Sequence, residues 1–425
     1  MEWFGHAKIS FTSHPNSLDL KDRGGAVTSL RQVCEEATPP CILNPLLFNG
    51  HLQTFFTALK AEGPPIYYKR KIFEAEDPAY EGSFAVDFVA QAGAETDTDL
   101  PIRTSFYRDS ELEDTGSLDN RPMLIALHGL SGGSYEIYLR HVLAPLIHEG
   151  GWEACVINSR GCAGHRITSS VLYNARATWD TRQTVKWLQE AFPNRPLFGI
   201  GFSLGANILT NYLGEEGDGC PLKAAVVVSN PWNLDAGNHA LQRTWLGREV
   251  YSKTMGGNLK SLVALHKDQL KKNPKIDFAS LEKITYLHEF DRAIQCPTWG
   301  YPTESAYYRD ASSSDSLLAV RIPFFAVNAK DDPIAVNEAL PYEEFKQNPH
   351  AVLCTTSLGG HLSWFEPFTG HRWHARPCVN FLNKMAFDYD FEAREVPRIN
   401  GSGKARTGIP TFDAMRRKMY TPEDL

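Results

Sequence analysis

The stretch Pro196-Leu-Phe-Gly-Ile-Gly-Phe-Ser-Leu-Gly-Ala-Asn-Ile-Leu-Thr210 constrains this chain more than any other. Its apolar run, Leu197 to Ile200, is short and unbroken, as in a strand buried on both faces. Ala206 to Leu213 reads as the start of a helix. Between them, Gly201-Phe202-Ser203-Leu204-Gly205 must reverse the chain within a few residues. A side chain at either glycine would collide with the adjoining strand or helix. The serine between them sits on strained backbone that lifts its hydroxyl out of the sheet. The helix N-terminus behind it favours negative charge.

The surroundings repeat the strand-then-helix rhythm. Met123–Leu127, Glu153–Ile157, Leu197–Ile200 and Ala224–Val228 are apolar runs. Tyr135–His148, Thr178–Ala191 and the segment from Ala206 have helical spacing. After a gap the rhythm resumes with strands at Ile322–Val327 and Ala351–Thr356 and helices at Asn337–Gln347 and Cys378–Phe387. This pattern predicts an α/β fold, a mostly parallel central sheet with helices on both faces. Upstream, Ile66–Glu74 and Ser83–Ala90 alternate apolar and polar residues, as half-exposed antiparallel strands do, and Ile102–Tyr107 is a further strand candidate. The gap is too long for a simple connection. It carries helical patterns at Ala240–Tyr251, Leu259–Lys272 and Leu281–Ile294, and reads as a helical lid insertion. The expected organisation is an N-terminal extension over 1–43, loosely structured, a core over 44–230 and 322–388, the insertion over 231–321, and a polar tail over 389–425.

Composition excludes several classes. The 425 residues carry a net charge of −7 with both signs interspersed, which argues against a nucleic-acid partner. The 8 cysteines form no C-x-x-C pairs and read as buried, reduced thiols, Cys162 among them. No metal-ligand spacing and no dinucleotide fingerprint appears, so neither metal nor cofactor is expected. The start, Met1-Glu-Trp-Phe-Gly-His6, lacks the apolar core of a signal peptide, and no stretch reaches the length of a membrane-spanning helix. A cytoplasmic location is the expectation. A lipid-like substrate would add peripheral contact with a membrane or lipid droplet.

A serine hydroxyl is a poor nucleophile unless a base takes its proton and a carboxylate orients that base. The candidate carboxylate lies in Asn328-Ala-Lys-Asp-Asp-Pro-Ile334, directly after a strand. Asp332, before Pro-Ile, is placed to point inward; Asp331 is read as facing solvent or capping the turn. The candidate base is His361 in Ser357-Leu-Gly-Gly-His-Leu-Ser-Trp-Phe365, on a Gly-Gly loop after the final strand. His371 and His374 are its rivals, and His51 reads as structural. Two backbone N–H groups must face the developing oxyanion. Leu204, after the serine, supplies one, and Leu130, in the loop His128-Gly-Leu-Ser-Gly-Gly133, supplies the other. His128 is expected to buttress that turn. Gly129-Leu-Ser-Gly-Gly133 repeats the G-x-S-x-G pattern around Ser131, but no strand with a His-Gly loop precedes it to provide the second donor. Trp179, Asp180 and Arg182 read as a packing and charge cluster at a helix start.

Taken together, His128-Gly-Leu-Ser-Gly-Gly, Arg160-Gly-Cys, Gly201-Phe-Ser-Leu-Gly-Ala-Asn207, Ser229-Asn-Pro-Trp232, Asn328-Ala-Lys-Asp-Asp-Pro333, Gly359-Gly-His361 and Asn49-Gly-His-Leu-Gln-Thr54 resemble the YheT-like branch of the α/β-hydrolase superfamily. That branch includes fungal medium-chain fatty-acid ethyl ester synthase/esterases and mammalian membrane-associated phospholipid hydrolases. The resemblance spans about 44 to 388. It implies a Ser203, Asp332, His361 triad and ester or acyl-transfer chemistry on medium-chain or lipid-like acyl groups. The partner would be a small-molecule ester or an acyl-CoA. Hydrolysis through an acyl-enzyme is the leading expectation, and transfer of the acyl group to an alcohol is the alternative. The N-terminal membrane anchor of the mammalian members has no counterpart in this sequence, so their location does not carry over.

Overall fold

A computed structural model describes residues 4–57, 62–93, 96–113 and 115–391; the tail expected over 389–425 lies, from 392 onward, outside the described residues. Ten strands form the central sheet: β1 (Ile9–Ser13), β2 (Tyr67–Glu74), β3 (Ser83–Ala90), β4 (Thr104–Phe106), β5 (Met123–Leu127), β6 (Glu153–Asn158), β7 (Leu197–Phe202), β8 (Ala224–Val228), β9 (Phe324–Ala329) and β10 (Ala351–Thr356). Their spatial order is β1-β10-β9-β8-β7-β5-β6-β3-β2-β4. The block from β6 to β10 is parallel throughout, while β1 and β3 add antiparallel at its two edges.

The apolar runs are continuous because both sheet faces are covered. The main helices are α1 (Leu30–Ala37), α2 (Gly50–Phe56), α3 (Ile137–His148), α4 (Trp179–Ala191), α5 (Leu204–Glu216), α6 (Leu234–Arg243), α7 (Lys253–Leu265), α8 (Glu304–Ala311) and α9 (Ala375–Phe387). Along β5, Leu124 and Ala126 point to the face packed by α1, α3 and α9. Met123, Ile125 and Leu127 point to the face packed by α4 and α5. The chain runs from β5 outward to β6, then crosses back to β7 on the other side of β5. Such a reversal opens a crevice at the strands' C-terminal ends, and there the loops after β5 and β7 meet.

A buried ion pair fixes the loop after β5. Arg70 of β2 grips Asp87 of β3 with two bonds of 2.6 and 2.8 Å. The same Asp87 Oδ2 accepts from Ser134 Oγ at 2.6 Å and Asn158 Nδ2 at 2.8 Å. Asp180, expected in a charge cluster, is buried and takes a two-pronged bond from Arg160 at 2.9 and 2.7 Å. None of the 8 cysteines forms a disulfide, and all except Cys220 are buried. Burial raises the Cys162 thiol to about 12.

The N-terminal region departs from expectation. Far from loose, β1 pairs with β10, with Phe11 opposite Cys354 and Thr12 opposite Leu353. Helix α1 follows, capped by the Ser29 hydroxyl, and buries Leu30, Val33, Cys34 and Ala37 at helical spacing. The short lengths and polar neighbours hide both patterns in a composition-level reading.

The segment between β8 and β9 is helical but more broken than its periodicity suggests. The Thr244 hydroxyl accepts from Gly247 N, and a π-helical turn, Gly247–Ser252, follows α6. The Glu289 carboxylate accepts from the backbone of Thr285 and Tyr286, restarting a helix in mid-pattern. Pro341 likewise divides the helix expected over 337–347. The segment builds its own small core. Leu259, Val263, Leu270, Phe290 and Ile294 pack with Ile167, Leu172 and Tyr173 from the stretch after β6.

Candidate active site

The serine turn shows why its flanking residues must be glycine. Ser203 lies between β7 and α5 with φ 51° and ψ −118°, a conformation that costs about 1–3 kcal/mol for a residue with a side chain. The turn is held by Ser203 N donating to Val228 O at 2.9 Å and by Ala206 N donating to Ser203 O at 3.0 Å. A Cβ on Gly201 would lie 2.6 Å from Ala206 Cα, and one on Gly205 would lie 2.4 Å from Leu127 O. Both obstacles are backbone, which cannot rotate aside. Gly205→Ala is therefore expected to destabilise the chain by about 3 kcal/mol, read as a lowered urea midpoint. An unchanged midpoint would contradict this account of the turn.

Three side chains from three separate loops meet at this turn. His361 Nε2 lies 2.8 Å from Ser203 Oγ. His361 Nδ1 lies 2.8 Å from Asp332 Oδ2 and 3.1 Å from Oδ1. Asp332 is only 3% exposed, and its Oδ1 also accepts from Ile334 N and Ala335 N, each at 2.8 Å. A carboxylate on Nδ1 keeps the ring proton there and leaves Nε2 as the acceptor for the serine hydroxyl. A hydroxyl, imidazole and carboxylate in line are the arrangement that lets a serine give up its proton as it attacks.

The rival residues lie elsewhere. Ser131 Oγ donates to Leu130 O at 2.8 Å and has no histidine partner among the described residues. His371 is exposed and packs edge-on against His141. His374 is fully buried, and burial drives its pKa far below the usual imidazole range. His51 Nδ1 bonds to the Tyr251 hydroxyl at 2.8 Å. Asp331 does not face solvent. It is half-buried, its Oδ1 accepts from Gly360 N at 3.0 Å, and desolvation raises its carboxyl to about 6.

That contact belongs to a clamp on the His361 loop which a motif reading misses. Thr54 Oγ1 accepts from His361 N at 3.0 Å, Gln53 Oε1 from Phe365 N at 2.9 Å, and Ser229 Oγ from Leu362 N at 3.2 Å. Helix α2 can lie this close because Gly360 has φ +63° and no side chain; a Cβ there would sit 2.6 Å from Gly50 O. The Asn49-to-Thr54 stretch, which carries part of the family resemblance, thus has a physical task. Asn49 caps α2, and Gln53 and Thr54 hold the loop that carries the imidazole.

The two residues expected to supply oxyanion donors, Leu130 and Leu204, line the same cavity as Ser203. Leu204 N is the first of α5, one of the donors a helix leaves unpaired. Neither it nor Leu130 N makes a hydrogen bond among the described residues. The loop holding Leu130 is fixed by Gly129 N donating to Tyr138 Oη at 2.8 Å. His128 braces it, with Nδ1 donating to Gly129 O at 2.6 Å and Nε2 accepting from Ser159 N at 3.0 Å. Burial lowers the His128 pKa to about 4, so the ring is neutral and can do both. Ser203, Leu130 and Leu204 line one cavity of about 110 Å³ whose remaining wall is largely apolar, including Leu234, Leu241, Leu259 and Leu287 from the helical segment between β8 and β9. Among the described residues no His, Cys, Asp and Glu group is arranged to hold a metal, and no helix is long and apolar enough to cross a membrane.

Comparison with known proteins agrees with this architecture. The family model described as alpha/beta hydrolase fold matches residues 122–368. A Saccharomyces cerevisiae monoacylglycerol lipase is 38% identical, over 79% of this chain and 79% of its own. The medium-chain fatty acid ethyl ester synthase/esterase 2 of the same yeast is 30% identical, over 81% and 85%. Human phospholipase ABHD3 is 31% identical, over 75% and 72%. With more than half of its length inside the family model and a relative 38% identical over 79% of it, this chain is an enzyme of the α/β-hydrolase family.

Proposed function

We propose that this enzyme cleaves carboxylic esters of medium-chain or lipid-like acyl groups through a covalent acyl-enzyme on Ser203. His361 takes the Ser203 proton as Oγ attacks the ester carbonyl, and Asp332 steadies the imidazolium that forms. The N–H groups of Leu130 and Leu204 hold the oxyanion. Collapse of the tetrahedral adduct expels the alcohol, which takes the proton from His361. Water, deprotonated by the same imidazole, then releases the acid. The observation that carries this reading is the unbroken line from Ser203 Oγ through His361 to Asp332, opening on an apolar cavity. The names of the relatives, a lipase, an ester synthase/esterase and a phospholipase, point to the same bond class.

The helices over 231–321 act in this proposal as a lid that shapes the acyl site and limits water. How well they exclude water sets the partition between hydrolysis and transfer of the acyl group to an alcohol, the second reading. It is favoured by the relative whose name joins synthase and esterase. A series of p-nitrophenyl and CoA esters of graded length, with and without ethanol, tests both. Each methylene buried in the cavity is expected to raise kcat/KM about fourfold until the site is full, following a gain of ~0.8 kcal/mol per buried CH₂. Rates independent of chain length would contradict an acyl site in this cavity. Free acid as the sole product at high ethanol would exclude transfer.

A further inference from the structure

The cavity at Ser203 is apolar along most of its wall, but buried polar side chains interrupt it, Asn174, Asn238, Asp291 and Gln295 among them. Asn174, Asp291 and Gln295 line the same cavity and are only 1%, 5% and 4% exposed. Each amide is half used. Gln295 Nε2 donates to Tyr173 O at 3.0 Å, which fixes its orientation and leaves Oε1 buried without a partner. Asn174 Oδ1 accepts from Arg176 N at 2.8 Å, which leaves Nδ2 buried without one. Asp291 Oδ2 accepts from the Tyr308 hydroxyl at 2.6 Å. Asp291 and Gln295 share a π-helical turn, a distortion that recurs at functional sites.

An acyl pocket for plain hydrocarbon gains nothing from such groups, since a buried polar atom without a partner is a standing penalty. One free acceptor and one free donor, lining one cavity from sequence-distant segments tied by the Gln295–Tyr173 bond, match a group that both donates and accepts. We propose that these residues recognise a hydroxyl on the substrate, remote from the scissile ester, which donates to Gln295 Oε1 and accepts from Asn174 Nδ2. The preferred substrates are then hydroxyl-bearing esters rather than simple alkanoates. The inference rests on the ester-cleaving reading above and makes Gln295 and Asn174 specificity-determining residues of that site.

The test compares ethyl octanoate, ethyl esters of mid-chain and terminal hydroxyoctanoic acids, and octanoate monoesters of diols. Dissociation constants are measured by calorimetry on the full Ser203→Ala chain, and kcat/KM on the wild type. A hydroxylated member is expected to bind about tenfold tighter or better than ethyl octanoate. Preference among hydroxyoctanoates puts the hydroxyl on the acyl half, and preference among diol esters puts it on the alcohol half; either supports the proposal. Gln295→Leu is expected to bring the ratio toward one. Equal affinity for plain and hydroxylated esters in the Ser203→Ala chain with Gln295 intact would overturn it, as when water alone serves these atoms. If the binding preference holds but no ester is turned over, the hydroxyl site stands and the ester-cleaving reading falls. If esters are cleaved with equal affinity, the reverse holds.

Discussion

Ser203→Ala is expected to lower kcat for ester cleavage by about a millionfold, the scale on which a serine–histidine–carboxylate unit fails when its nucleophile is lost. The loss is this large because the three side chains act as one. Without the hydroxyl, His361 has no proton to take, and Asp332 has no imidazolium to steady. What survives is the oxyanion pair and the cavity, so KM should move far less than kcat. The removed oxygen also relieves nothing in the backbone, since the strain at φ 51° belongs to the turn and not to the hydroxyl. The variant should therefore fold with an unfolding midpoint close to the wild type. Steady-state kinetics with a p-nitrophenyl ester check the first expectation and urea denaturation the second. A variant retaining a tenth of wild-type kcat would contradict the assignment.

Asp332→Asn is expected to cost about ten-thousandfold in kcat, and Asp331→Asn less than about tenfold. The neighbouring backbone sets the difference. Ile334 N and Ala335 N both donate to Asp332 Oδ1, so in Asp332→Asn the amide oxygen is drawn to that position. The NH₂ then takes the place of Oδ2, 2.8 Å from His361 Nδ1 in the wild type. A donor there forces Nδ1 to accept and moves the ring proton to Nε2. Nε2 then cannot receive the serine proton. Asp331 Oδ1 accepts from Gly360 N, and an amide oxygen can accept that bond equally well. Measured kcat values for the two variants decide between adjacent aspartates. A larger loss in Asp331→Asn would reverse the assignment.

Much of the scaffold is legible in the sequence, for a physical reason. Strands buried on both faces become unbroken apolar runs, and Met123–Leu127, Ala224–Val228 and Ala351–Thr356 are such runs. The residues Ser203, Asp332 and His361 stand out because each follows a strand of this kind, Leu197–Phe202, Phe324–Ala329 and Ala351–Thr356 respectively, in a turn of unusual composition. What stays hidden is carried by tertiary contact. The breaks in the helices between β8 and β9 come from single side chains, Thr244 and Glu289, bonding to nearby backbone rather than from any loss of periodicity. The grip of Gln53 and Thr54 on the His361 loop spans about three hundred residues, beyond the reach of any local pattern. Asn174 and Gln295 are likewise unremarkable as residues. They matter because the fold brings them to one cavity with their remaining hydrogen-bond capacity unused.

Ser203, and not the Ser131 of the repeated motif, is the serine expected to become acylated. The most direct measurement is mass-spectrometric mapping of the adduct formed by a fluorophosphonate, which traps an activated serine at the tetrahedral stage. A single adduct is expected, in the peptide containing Gly201 to Gly205, and none in Ser203→Ala. An adduct on Ser131, or labelling of Ser203→Ala at the wild-type rate, would contradict it.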